Sequence, residues 1–316
     1  VEQIRFNEHI RPILSEYCFA CHGPDSGSRK GELRLDVREA AVESGAVTAG
    51  DADNSELIAR ITSDDPDLVM PPPDSRKTLQ PEHKLLLVQW IREGAEYENH
   101  WSFIKPQRAA VPKSAGNEVW SSNAIDHFIL QKLDGQKLKP NAAADRHVLA
   151  RRAALDVTGL PPTPDMLEDF IAESSVDAWP KYIDRLLQSE HAGEHRARYW
   201  LDAARYGDTH GMHVDNYREM WPYRDWVVRA FNANMPFDRF VVEQLAGDLL
   251  PEPTQDQLIA TGFSRCNITT SEGGAIPAEL DVRYMVDRVE TTATVFLGLT
   301  AGCAVCHDHK YDPISQ

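Results

Sequence analysis

Two five-residue strings hold the densest chemistry in the chain: Cys18-Phe-Ala-Cys21-His22 near one end and Cys303-Ala-Val-Cys306-His307 near the other. Together they use four of the five cysteines. With cysteine and histidine this scarce, about 0.003 such strings are expected by chance, so a double accident does not explain them. The spacing suits covalent attachment of a porphyrin. Two thiols reach the two vinyl groups on one edge, and the adjacent histidine swings under the iron as proximal ligand. Half of a zinc site or a redox dithiol would use the cysteines, but neither needs a histidine directly after the second cysteine in both copies. The strings therefore point to two covalently bound haem c groups, attached at Cys18, Cys21, Cys303 and Cys306 and ligated by His22 and His307.

A sixth ligand is the next requirement. Met70 stands in Val69-Met70-Pro71-Pro72-Pro73. A thioether is a good soft ligand for haem iron and raises its potential, and the prolines would hold the loop with little entropy left to lose. An apolar core residue rarely sits before three prolines, so Met70 is read as the distal ligand of the first haem. No such loop follows His307. For the second haem the candidates are His210 and His213, three apart and flanked by Asp208 and Asp215. One of them facing the iron would give bis-histidine ligation; the pair could instead bind a separate divalent metal, or be hydrogen-bonded within the fold. His309 is too near His307 to reach the opposite face of the same iron, and is read as a supporting or propionate contact. Cys266, the odd thiol, is read as a small buried apolar group.

The elements around these residues are helical. Phe6, Ile10, Ile13 and Leu14 form a stripe that leads the chain to Cys18, with loop from Asp25 to Gly31. Pro81 opens a helix with Leu85, Leu86, Trp90 and Ile91 on one face, ending near Gly94. Residues 98–120 lose periodicity and collect prolines and lysines, which marks a linker after a first domain of 1–97. Beyond it, in 121–316, stripes recur at Ile125-Phe128-Ile129-Leu133 and Trp179-Tyr182-Ile183-Leu186-Leu187. Trp221-Pro222 and Met235-Pro236 start two more helices, Thr254 with Gln257 reads as a capping box, and Glu279 to Phe296 leads to the second attachment string. Nothing alternates with period two long enough to build a sheet, so the fold class is all-α.

Composition bounds the function. Among 316 residues, 33 Lys plus Arg face 49 Asp plus Glu for a net charge of −16, which argues against a nucleic-acid partner or an anionic membrane held by bulk charge. With 42% apolar and 26% charged residues the chain is globular. The best apolar run, Val295 to Val305, is broken by Gly298 and Gly302 and falls short of the roughly 18 residues that span a bilayer.

Helix, attachment string, methionine loop and closing helix, in that order, resemble a class I cytochrome c. Further along, Asp208-Thr-His210-Gly-Met-His213-Val-Asp215-Asn-Tyr-Arg218, Glu243-Gln-Leu-Ala-Gly-Asp248, Arg265-Cys-Asn-Ile-Thr-Thr-Ser-Glu272-Gly-Gly274 and Cys303-Ala-Val-Cys-His-Asp-His-Lys-Tyr-Asp-Pro313 resemble the large secreted planctomycete cytochrome proteins. In that family a cytochrome c domain precedes a helical domain of unknown function and, usually, further C-terminal domains. The resemblance implies a piece of a longer protein, with those domains or a separate redox protein as partner. The leading expectation is a secreted dihaem cytochrome that passes electrons between a Met/His haem and a second haem in the helical domain. The alternatives are a peroxidase- or oxidase-like enzyme with an open second haem, and a polysaccharide- or partner-binding module with a redox-sensing haem. Attachment of haem by this motif takes place outside the cytoplasmic membrane, so the expected location is the periplasm or the cell surface.

Overall fold

The computed structural model describes residues 4–113, 121–312 and 314–316; residues 1–3, 114–120 of the expected linker and Pro313 lie outside them. Helices dominate. Among the described residues the only β pairing is two isolated bridges, Thr209 with Tyr217 and Gly211 with Thr269, so the chain is all-α as its periodicity implied.

Contacts group the chain into two compact units, Val1–Lys105 with Met285–Gln316, and Pro106–Tyr284. The sequence boundary at 121 assigned the second attachment string to the helical region. By contacts, residues 285–316 group with the cytochrome-like segment, to which Lys310, Tyr311 and Asp312 bond at Glu16, Arg11 and His100.

The first unit holds α1 (Arg11–Tyr17), α2 (Phe19–His22), α3 (Arg38–Glu43), α4 (Glu56–Thr62) and α5 (Pro81–Arg92). The stripe expected at Phe6, Ile10, Ile13 and Leu14 is buried and packs on Leu87, Trp90 and Ile91 of α5. Phe6 stacks on Tyr97 at 4.3 Å, and the Tyr97 hydroxyl donates to the Leu35 carbonyl at 3.0 Å. Pro81 occupies the first turn of α5, where its missing N–H leaves no helical bond unmade. The inner face of α5 differs from the expected one: Leu87 is fully buried whereas Leu85 is 69% exposed. At about 100° per residue, Leu85 points away from Leu87, and Leu87 shares its face with Trp90 and Ile91. Gly94, with φ +107°, ends the helix in a conformation that disfavours side chains.

The second unit carries α6 (Ala124–Gly135), α7 (Arg146–Thr158), α8 (Pro164–Ala172), α9 (Ala178–Leu187), α10 (Glu190–Ala203), α11 (Trp221–Asn232), α12 (Phe237–Ala246) and α13 (Gln255–Ala260). The last helix, α14 (Pro277–Thr292), begins in this unit and ends in the first. The α6 stripe is not inside: Ile125 and Ile129 are exposed, and Leu130 is the buried residue. On α9, Tyr182 and Leu186 are buried while Trp179 and Leu187 stay partly exposed, so the fully buried face is narrower than the stripe. Tyr182 donates to the Ala150 carbonyl at 3.0 Å, and the Arg146 guanidinium lies 4.1 Å over Phe170, which closes the α7–α8–α9 cluster. Trp221-Pro222 does start α11, and Thr254 and Gln257 do form a capping box at α13. The buried Gln244 amide accepts from the Tyr223 hydroxyl at 2.7 Å and the Trp200 indole at 2.9 Å, and donates to the Phe240 carbonyl at 2.9 Å. Both ends of that amide are satisfied, as burial demands.

Candidate haem site

Cys18 links α1 to α2, and the single turn of α2 presents Cys21 and His22. The following loop folds back on the motif: Lys30 N–H donates to the Cys21 carbonyl at 2.7 Å and Leu35 N–H to the His22 carbonyl at 2.8 Å. Asp25 organises that loop by accepting from Gly27 N–H and the Ser28 hydroxyl, and these bonds hold its carboxyl below the ordinary range. At Gly23 an added Cβ would fall 2.3 Å from the Phe19 carbonyl oxygen, so only glycine lets the chain turn there.

Cys18, Cys21, His22 and Met70 line one cavity of about 340 Å³. Its wall is apolar, with Leu33, Leu35, Leu57, Ile61 and Pro71, and Lys30, Arg60 and Lys77 contribute cationic groups. Met70 is held by its own N–H, which donates to the Arg60 carbonyl at the end of α4 at 3.1 Å. His22 Nδ1–H donates to the Lys30 carbonyl at 3.1 Å, which fixes the tautomer and leaves Nε2 as the metal-binding nitrogen. Burial lowers the His22 pKa and favours the neutral ring that a metal needs. Burial also pushes the Cys18 thiol up to about 12; a thioether has no proton to lose and bears no such penalty. Attachment groups, an imidazole with a free Nε2, a thioether ligand, apolar walls and cations suited to propionates fit a haem.

The second string is set differently. Cys303, Cys306 and His307 are exposed, and His307 Nδ1–H donates to the Asp308 carbonyl at 2.8 Å, again leaving Nε2. Gly302 lies against Glu290, whose carboxylate oxygen would sit 2.5 Å from an added Cβ. His309 is buried. Its Nδ1 accepts from Tyr311 N–H at 3.1 Å and Asp312 N–H at 2.7 Å, so Nε2 carries the proton and donates to the Thr300 hydroxyl at 2.7 Å. Both ring nitrogens are thus committed to holding the loop. Asp312 receives Thr300 N–H at 3.2 Å and lies 3.2 Å from His100 Nε2, both side chains being almost wholly buried.

His210 and His213 lie in the second unit, in a loop clasped to residues 267–271. Their Nδ1 atoms bond to the Thr269 and Thr270 hydroxyls at 2.8 and 3.0 Å, and His213 also meets Glu272 at 3.3 Å. Asp208 accepts from the Tyr206 hydroxyl and Met220 N–H, and Asp215 from Gly211 N–H. Among the described residues no three His, Cys, Asp or Glu side chains are grouped to hold a metal ion, so the separate-metal alternative has no assembled site. Cys266 is 2% exposed, its thiol donates to the Gly262 carbonyl at 3.5 Å, and burial pushes its pKa up to about 12. Sequence reasoning passed over α4, although the pair Leu57 and Ile61, four apart after Ser55, was the available signal for a wall. It also passed over His100, which no motif marks.

An α-helical unit with a CxxCH turn and a methionine facing one apolar cavity defines a c-type cytochrome. Residues 18–74 match the family described as planctomycete cytochrome C, which implies covalently attached haem c. Residues 124–316, more than half of the chain, match the family described as PSCyt2, protein of unknown function (DUF1549), and the chain belongs to that family. No curated protein and no solved structure matches it. No described helix is long and apolar enough to cross a membrane.

Proposed function

We propose that this cytochrome carries two haems and passes electrons between a Met/His haem at Cys18, Cys21, His22 and Met70 and a second haem at Cys303, Cys306 and His307. Haem iron supplies a one-electron couple. The chain would contribute the proximal nitrogens, each oriented through a backbone carbonyl on Nδ1, and for the first site a cavity with apolar walls. The carrying observation is the convergence of Cys18, Cys21, His22 and Met70 on one cavity, set beside an intact repeat of the attachment motif. His210 and His213 have Nδ1 taken by threonines, which leaves Nε2 of each ring as the nitrogen suited to a ligand. We place the protein in the periplasm or at the cell surface, where this form of attachment takes place.

A second reading, a redox enzyme with an open iron at the second site, draws on the exposure of Cys303, Cys306 and His307. Mass spectrometry of the holoprotein and electron paramagnetic resonance of its oxidised form separate the readings. Two haems with two low-spin signals support the electron carrier. One low-spin and one high-spin signal support the enzyme, and a single attached haem overturns both.

A further inference from the structure

Resting on the two-haem reading above, we propose that Asp312 and Lys310 are positioning residues that dock the second attachment loop on the cytochrome fold and so set the rate of electron exchange between the two haem sites. The loop carrying Cys303 to His307 is tied to the first haem-binding segment at three points. Lys310 Nζ bonds to Glu16, two residues before Cys18, at 2.6 Å. Arg11 donates to the Tyr311 carbonyl at 3.2 Å from the same helix. Asp312 meets His100 at 3.2 Å, with 12% and 4% of their side chains exposed.

The three ties differ in kind. The Glu16–Lys310 pair is half exposed and contributes little to stability, so its effect is on geometry. The Asp312 carboxylate is the buried member: it takes Thr300 N–H and faces His309 inside the loop, and reaches His100 outside it. Removing one partner of such a buried pair leaves the other uncompensated. Glu16 also connects to the other ligand, since Lys77, beyond the Met70 loop, donates to the Glu16 carbonyl and lies 3.7 Å from its carboxylate. One short stretch before Cys18 therefore touches both the chain that follows the Met ligand and the chain that follows the second proximal histidine. Exchange between the sites oxidises one iron from ferrous to ferric and reduces the other from ferric to ferrous; no bond or proton changes. Its rate depends on separation and orientation, to which these ties would contribute.

The test uses the purified holoprotein. Haems are first counted by mass; a single haem would end the two-haem reading and is distinguishable from failure of this one. With two haems present, one is reduced by a light pulse and equilibration with the other is followed optically. Lys310→Met and Asp312→Ala are expected to slow equilibration several-fold, the latter more, while the Fe–S absorption of the Met70 site is retained. Lys310→Arg is expected to restore the wild-type rate. Equilibration at the wild-type rate in both Lys310→Met and Asp312→Ala, with two haems attached, overturns the proposal. So does a Lys310→Arg variant as slow as Lys310→Met.

Discussion

The two attachment strings differ only in the pair of residues between their cysteines, yet their surroundings diverge. Around Cys18 to His22 the chain builds a cavity: α4 supplies Leu57 and Ile61, the Met70 loop closes over it, and a looped-back strap from Lys30 to Leu35 makes another wall. Around Cys303 to His307 the side chains are exposed, and the ordered part is the loop after them, knotted by His309 and Asp312. What repeats is the orientation of the proximal ring, with Nδ1–H on a backbone carbonyl in both places. A five-residue motif carries the thiols and the ring orientation; the pocket comes from residues scattered between Tyr17 and Lys77, of which only the Met70 loop stands out in the sequence.

Removing each site in turn probes that contrast most strongly. Cys18→Ser with Cys21→Ser is expected to remove one haem and lower the melting temperature of the first unit, whose cavity loses its filling. On the two-haem reading, Cys303→Ser with Cys306→Ser is expected to remove the second haem with little change in melting, because those thiols are exposed. Mass spectrometry and calorimetry check both, and equal destabilisation would erase the distinction. Next in size, Met70→Ala should abolish the Fe–S absorption and lower the midpoint potential of one haem only, read by optical redox titration.

Packing offers a third test. Leu87→Ala is expected to cost about 2–5 kcal/mol in denaturant unfolding, since a fully buried leucine leaves a cavity. Leu85→Ala, two residues away and exposed, is expected to stay within about 0.5 kcal/mol. Reversed values would restore the register read from the sequence.

The last test uses acid. His100 is held below its ordinary 6.5, first by burial and then by the Arg11 charge, against the pull of Asp312, with His309 also facing it. A folded value below the unfolded one means that the unfolded chain binds the proton more readily. The contribution to stability is therefore intact above pH 6.5 and is lost as pH falls through the lowered value. Amide exchange in residues 299–312 should speed up on acidification below that point, and His100→Gln should remove the dependence.

How much of this could be read beforehand follows from the range of each signal. Attachment, helical class, the stripe Phe6 to Leu14, the proline start of α5 and the Thr254 cap are local, set by residues within a turn or two. The α6 and α9 stripes misled because apolar spacing says which face is hydrophobic, whereas burial needs a partner element; Ile125 and Trp179 have the spacing and remain exposed. On α5 an unbroken Leu85-Leu86-Leu87 run fits two faces, and only packing against Phe6 and Leu14 selects Leu87. His100 and Asp312 meet across a separation that leaves no periodic trace, so the site they build was invisible from spacing alone.

The cytochrome unit is also discontinuous, made of residues before Lys105 and after Met285 with a whole helical body between them. As the chain leaves the ribosome, Cys18, His22 and Met70 are all available long before Lys310, which bonds to a residue 294 positions earlier. Synthesis thus allows an order: the early segment can gather its walls first, and the late segment closes onto a partner already shaped.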